Sequence, residues 1–168
     1  MNKLLRVFKH RWLDERDARR AIGAQALQRI EARVAASESH HSGEIRVCVE
    51  AGLPLSYLMR NATARARAVA MFGKLGVWDT EHNNGVLIYL LLAERRIELV
   101  ADRGLNRHVE AARWQQITDT MGAAFKQGQF EAGLNQAIDA VDGLLRQHFA
   151  IDVHARNPNE LPDAPIVL

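Results

Sequence analysis

Residues 78–105 read WDTEHNNGVLIYLLLAERRIELVADRGL, and the pattern of this stretch decides the fold. From Val86 to Ala93 the chain is almost wholly apolar, Glu94-Arg95-Arg96 interrupts it, and Ile97 to Ala101 is mostly apolar again. An apolar run of about eight residues bounded by polar turn residues suits a strand buried on both faces. The charged break reads as a hairpin turn, in weaker turn chemistry than Asn-Gly. With Glu94 and Arg95 as a two-residue loop, Ala93 pairs with Arg96. Counting outward, Leu87 then faces Asp102, Val86 faces Arg103 and Gly85 faces Gly104. That register sets Asn83-Asn84-Gly85 and Asp102-Arg103-Gly104 side by side at one edge of a sheet.

Upstream, Glu44 to Glu50 alternates apolar Ile45, Val47 and Val49 with Arg46, Cys48 and Glu50, which predicts a strand with one less buried face. Between the two strands, Ser56 is a candidate N-cap for a helix running to about Leu75. Its expected inward residues are Leu58, Ala62, Ala66, Val69 and Phe72, with Arg60, Arg65 and Arg67 on the solvated side. A strand–helix–strand order implies a crossover and parallel strands one and two. The fold class expected is therefore α/β: a small mixed β-sheet, a parallel crossover pair plus an antiparallel hairpin, flanked by helices on both faces.

A helical segment from Asp17 presents Ile22, Ala26, Ile30 and Val34 on one face. After the hairpin, Asn106 is a candidate cap for a helix carrying Trp114, Ile117, Met121 and Phe125, closed by Gly128. Phe130 to Phe149 forms the last helix, with Leu134, Ile138, Val141 and Leu145 inward. The chain divides into a basic amphipathic segment (1–16), one domain (17–149) and an extended tail (150–168) that contains Pro158, Pro162 and Pro165. Ile166-Val167-Leu168 gives that tail an apolar end able to dock on the domain.

In residues 1–16, Leu4, Leu5, Phe8 and Trp12 recur at helical spacing among Lys3, Arg6, Lys9 and Arg11. Such a segment either packs on the domain or a partner, or contacts an anionic membrane through residues 1–13. Those basic residues also break the apolar core that a secretion signal needs, and no stretch approaches a membrane span. The expected location is cytoplasmic, with room for a peripheral place on the inner membrane surface. Twenty-two Lys and Arg against 20 Asp and Glu leave a net charge of +2, without a basic stripe interleaved with aromatics, so nucleic acid is not an expected partner. The single cysteine, Cys48, excludes an intramolecular disulfide and reads as a buried thiol.

Connectivity brings the start of strand one (His41, Gly43, Glu44), the start of strand two (Asn83, Asn84, Gly85) and the end of strand three (Asp102, Arg103, Gly104) to one rim. The loop holding Trp78, Asp79 and Glu81 leads into it. Asp79, Glu81, Asn83 and Asp102 are oxygen donors of the kind Ca2+ or another divalent cation takes, though without EF-hand spacing. The alternative is local pairing of Asp102 with Arg103 and a plain Asn83-Asn84 turn. His40, His41 and Glu44 form a second, less specific ligand set. Nucleophile-elbow, Walker, zincin and dinucleotide signatures are absent, so catalytic residues are unassigned.

Asn83-Asn84-Gly85-Val86-Leu87-Ile88-Tyr89, then Arg96-Ile97-Glu98-Leu99-Val100, then Gly104-Leu105, resemble the core of the TPM domain. Phe125-Lys126-Gln127-Gly128-Gln129-Phe130-Glu131-Ala132-Gly133-Leu134 resembles its closing helix pair. The resemblance covers roughly Gly43 to Leu145 and implies a small mixed sheet with helices on both sides. That family includes thylakoid-lumen proteins linked to photosystem II repair and a nematode receptor modulator. For some members it implies calcium binding and acid phosphatase activity, and for others roles beside membrane complexes. Many relatives have Asp-Asn-Gly where Asn83-Asn84-Gly85 stands here, while Asp102 supplies a carboxylate after strand three. The chain is similar to compact bacterial forms that accompany LemA-like and membrane-attached TPM proteins.

The functional expectation is a non-catalytic interaction or accessory domain that meets protein partners, membrane-attached ones among them, through the polar rim. Trp78, Asn84, Asp102 and Arg103 are the expected partner-binding residues. The alternative is a divalent-metal-dependent phosphatase in which Asp79, Glu81 and Asp102 hold the ion and Arg103 steadies the phosphate.

Overall fold

A computed structural model describes residues 3–152 and 157–168. Its centre is a four-stranded sheet in the order β3-β2-β1-β4, formed by β1 (Ile45–Glu50), β2 (Val86–Leu91), β3 (Arg96–Ala101) and β4 (Ile166–Val167). Strands β1 and β2 run parallel, β3 is antiparallel to β2, and β4 is parallel to β1. The mixed α/β class expected from the apolar patterning is the one observed.

Helices α1 (Lys3–Trp12), α2 (Glu15–Ile22) and α3 (Ala24–Glu38) precede the sheet. Next come α4 (Leu55–Met59) and α5 (Ala64–Lys74) between β1 and β2, then α6 (Arg103–Asn106), α7 (Ala111–Lys126) and α8 (Phe130–Phe149) after β3. Two cores form, one on each face of the sheet. Ile45, Val47, Val49, Val86, Ile88 and Leu90 meet the α2, α3, α7 and α8 side. Cys48, Leu87, Tyr89 and Leu91 meet the side covered by α4 and α5. Alternate side chains of a strand point to opposite faces, so two covered faces explain why β2 is apolar at every position. Burial pushes the Cys48 thiol up to about 12, as a sequestered and inert cysteine requires.

Several expectations are corrected. The hairpin loop is four residues, Leu92 to Arg95, with a 3-10 turn over Leu92–Glu94 and Arg95 left-handed at φ 49°. Leu91 therefore pairs with Arg96, and Leu87 faces Val100 rather than Asp102. The register moves by two residues, which leaves each side chain on the same face. The expected helix from Ser56 to Leu75 is two, broken where Asn61 turns left-handed (φ 53°) and Thr63 caps α5. Pro54, not Ser56, precedes α4. The buried positions are Leu58, Ala64, Ala68 and Met71, whereas Ala66 and Val69 are exposed. Gly23, at φ 90°, likewise divides the Asp17 segment, whose apolar face nonetheless packs as expected.

Strand β1 is buried at all six positions instead of leaving one face wet. Its polar residues find partners from distant elements. Glu50 accepts from Arg67, at 2.9 Å from Nε and 2.7 Å from Nη2, and from the Tyr89 hydroxyl at 2.5 Å. The Arg46 guanidinium donates to the carbonyls of Pro162 and Ala164 in the tail. The end of the tail adds β4 to the sheet beside β1, and residues 153–156 of the expected extended segment lie outside the described residues. The Glu44 carboxylate accepts from the Glu160 and Leu161 N–H groups at 3.2 and 3.1 Å, and Asn157 Nδ2 reaches the carbonyls of Glu38 and His41. At the opposite sheet edge, outward carbonyls of β3 are occupied by side chains, Leu99 O by Arg65 and Ala101 O by Asn106. Asn106 thus serves β3 rather than capping α7, which Glu110 precedes.

Beneath the tail, burial raises the Glu38 carboxyl to about 9, against the Ile45 N–H that favours its ionised form and with Glu44 and Asp163 adding repulsion. A folded value above the ordinary 4.5 means that folding favours the protonated acid. The contribution is complete below about pH 4.5 and is lost as pH rises through about 9. Glu38→Gln, which keeps the acceptor for Ile45 and cannot ionise, is expected to raise the melting temperature above wild type at pH 9 and to leave it nearly unchanged at pH 4. Parallel melting curves in the two buffers check this, and an equal effect at both would contradict it.

At the N-terminus, α1 is held by its polar side. Arg6 donates to Glu94 Oε1 at 2.9 Å, Asn61 Oδ1 at 3.1 Å and the Ala62 carbonyl at 2.7 Å. The His10 ring is buried, accepts from the Leu53 N–H at 3.0 Å and meets Glu94 through Nε2 at 3.1 Å. Hydrogen bonding from His10, joined by Arg6 and opposed by burial, holds Glu94 down to about 2. Among the described residues no helix is long and apolar enough to cross a membrane.

Candidate functional site

The rim inferred from connectivity exists, and backbone hydrogen bonds lock its three strand ends together. Val86 N donates to Glu44 O at 2.8 Å, Asp102 N to Gly85 O at 2.9 Å and Gly104 N to Asn83 O at 2.8 Å. Asn83 sits at φ 53°, a left-handed conformation that Asn tolerates better than most residues. Gly85 and Gly104 are glycines because of space. A Cβ on either would overlap a backbone carbonyl, of Val77 in the first case and of Asn83 and His82 in the second. Only bare backbone lets the loop before β2 close on Gly85 and lets Gly104 approach that loop so closely.

The expected partner residues divide. Trp78 is exposed on the loop entering β2, with its indole N–H 3.3 Å from the Gly73 carbonyl. Asn84 is fully enclosed: its N–H donates to Thr80 Oγ1 at 3.1 Å and its Nδ2 to Ser42 Oγ at 3.1 Å. It ties the β1 and β2 entries together and has no surface to offer a partner. Asp102 turns inward and caps α6, with Oδ1 accepting from the Arg103 N–H at 2.6 Å. It makes no ion pair with Arg103 among the described residues, so the expected charge pair is instead a cap and an outward guanidinium.

The metal-ligand set does not assemble. Asp79 and Glu81 are exposed, and Glu81 is tied through its N–H to Glu160. Asn84 Oδ1 and Asp102 Oδ2 are buried oxygens without a hydrogen-bond partner among the described residues. Two such atoms fall well short of the six to eight oxygens around calcium. Among the described residues no three His, Cys, Asp or Glu side chains group to hold an ion. The second set separates too. His40 is exposed beside Ser39, buried His41 lies 3.5 Å from Asp142, and Glu44 is engaged by the tail. Burial lowers the His41 pKa against the pull of Asp142.

One pocket of the rim is cationic. His82, Asn83, Arg103, Gly104 and Arg107 line a shallow pocket of about 270 Å³ with no acidic residue in its wall. Arg103 and Arg107 are both exposed and form no ion pair among the described residues. They stand four apart, where the helical turn sets them on one side. Arg107 and His82 were not singled out from the sequence. The four-residue spacing of the arginines within RGLNR was the available signal.

A chain of this fold has solved counterparts. The NMR structure of the BA42 protein from the psychrophilic bacterium Bizionia argentinensis superimposes with a TM-score of 0.73 at 27% sequence identity. The match covers 86% of this chain and 93% of that one. No curated protein matches. The family model for the TPM domain matches residues 16–144, from the start of α2 almost to the end of α8. With most of its length inside that match, and the sheet and rim arranged as described, this chain belongs to the TPM domain family.

Proposed function

We propose that the chain is a non-catalytic accessory domain whose rim docks an acidic segment of a protein partner. The observation that carries this reading is the convergence of two exposed, unneutralised arginines with His82 on one pocket that contains no carboxylate. Local positive potential attracts and orients an acidic chain, and a guanidinium can grip a carboxylate through two parallel bonds. Exposed Trp78, on the neighbouring loop, adds an apolar anchor of a type enriched in binding hot spots. Asp102 acts from beneath by capping the helix that carries Arg103, while Asn84 ties the entries of β1 and β2 together.

The test uses a fluorescein-labelled peptide rich in Glu and Asp, followed by polarisation. Binding is expected to weaken with salt, and Arg103→Glu/Arg107→Glu is expected to reduce affinity more than tenfold while the melting temperature stays within about 2 °C. Affinity unchanged in the double variant would remove the proposal. The phosphatase alternative has its own outcome in the same preparation. Metal-dependent turnover of a generic phosphomonoester, lost in Arg103→Glu without loss of stability, would replace the accessory reading with an enzymatic one.

A further inference from the structure

The N-terminal helix is oriented opposite to what its composition leads one to expect. Its charged and polar residues Arg6 and His10 face the domain, through the contacts to Glu94, Asn61, Ala62 and Leu53. The backbone of His10 also lies directly over Gly52, where a Cβ would overlap its carbonyl. Rotation of the helix about its axis would break all of these at once. The consequence is that the large apolar side chains point to solvent: Leu4 is 78% exposed, Leu5 59%, Phe8 60% and Trp12 73%.

Successive residues of an α-helix advance by about 100°, which places these four within an arc of roughly 100°. Arg11 borders one side of that arc and Lys9 the other, and both are exposed. Phe8 and Trp12 lie together, with ring centroids 5.1 Å apart, as one aromatic ridge. The helix contains no acidic residue. A contiguous strip of this kind left uncovered marks a contact surface.

We propose that α1 seats this domain on an anionic lipid surface, its Leu5–Phe8–Trp12 ridge entering the headgroup boundary and Lys9 and Arg11 meeting lipid phosphates. The two basic borders select this occupant. An interfacial helix carries an apolar face with Trp and Phe flanked by Lys and Arg, and its binding combines buried area with attraction to anionic headgroups. Indole suits that boundary because its ring is apolar and its N–H remains wet. The helix is already folded and held in the required orientation, so docking needs no ordering of a loose segment.

The test is cosedimentation of the full chain with vesicles of phosphatidylcholine containing phosphatidylglycerol, compared with phosphatidylcholine alone. Wild type is expected to sediment with the anionic vesicles, to do so at least tenfold less with neutral ones, and to be released by raised salt. Phe8→Ser/Trp12→Ser is expected to abolish sedimentation, and Lys9→Glu/Arg11→Glu to weaken it at least tenfold. All four positions are exposed, so melting temperatures should be preserved, and Arg103→Glu/Arg107→Glu should still sediment. Failure of wild type to bind anionic vesicles overturns the proposal. So does equal binding to neutral vesicles, or binding that survives Phe8→Ser/Trp12→Ser. A dimer in sedimentation equilibrium that dissolves in Phe8→Ser/Trp12→Ser, without vesicle binding by wild type, would assign the ridge to a second copy and overturn the lipid assignment.

Discussion

Glu50→Ala is expected to destabilise the protein by about 3–5 kcal/mol, the range for removing one partner of a buried ion pair. In a chain of this size each kcal/mol moves the melting temperature by about 2–4 °C, so a drop of roughly 6–20 °C should be seen. The reason is not the attraction lost but the groups left behind. Arg67, bonded to Glu50 and stacked 5.1 Å from the Tyr57 ring, is mostly screened from water, and the Tyr89 hydroxyl is fully enclosed. A guanidinium stays protonated when its partner is removed, and burial, the largest cause, raises the Tyr89 pKa, so both donors keep their protons with no carboxylate to accept them. A double variant, Glu50→Ala/Arg67→Ala, should cost less than the sum of the two single changes. Thermal melts of the four proteins decide it. A loss below about 1 kcal/mol for Glu50→Ala would place the pair among exposed bridges such as Arg33–Asp139, which are worth little.

Gly85→Ala should cost about 3 kcal/mol, at the upper end of overpacking. The added methyl would overlap the Val77 carbonyl and crowd Val77 Cγ1 at 3.0 Å, and neither is the loose end of a long side chain. Because Gly85 O also receives the Asp102 N–H, a shift there carries the Arg103 loop with it. Affinity of the rim for an acidic peptide should therefore fall even at temperatures where the variant is fully folded. Gly73→Ala is the control. It lies in α5 with nothing within 4 Å of the new methyl, and should be neutral or stabilising by up to about 1 kcal/mol. Equal melting temperatures for Gly85→Ala and wild type would mean that Gly85 is not held against Val77 as described.

Much of the architecture was legible because burial writes its period into the chain. The β2 run, the inward residues of α8 and the face shared by Ile22, Ala26, Ile30 and Val34 all packed as read. Elsewhere a local signal was outweighed by a distant partner. Glu94 looked like a turn residue, but it anchors Arg6 and His10 from more than eighty positions away, and the hairpin lengthens to present it. Alternation in β1 suggested a wet face, because nothing near Arg46 or Glu50 in the chain announces the tail carbonyls or Arg67 that satisfy them. The α4–α5 break follows the left-handed turn at Asn61, whose side chain also accepts from Arg6.

For the rim, chain order alone determined which residues share an end of the sheet, since one crossover and one reversal permit a single arrangement of the strand ends. Which of them face outward was a tertiary matter. Asn84 and Asp102 are polar in any reading of the sequence, yet unpaired backbone donors and hydroxyls nearby draw them inward, and Arg107 joins Arg103 only once α6 has turned. The same holds for α1. Its sequence established an amphipathic helix, but only the fixed positions of Glu94, Asn61 and Leu53 decided that its polar side is the one that packs. Periodicity tells which residues lie on one face; the direction in which that face looks is set by partners that the fold brings from far along the chain.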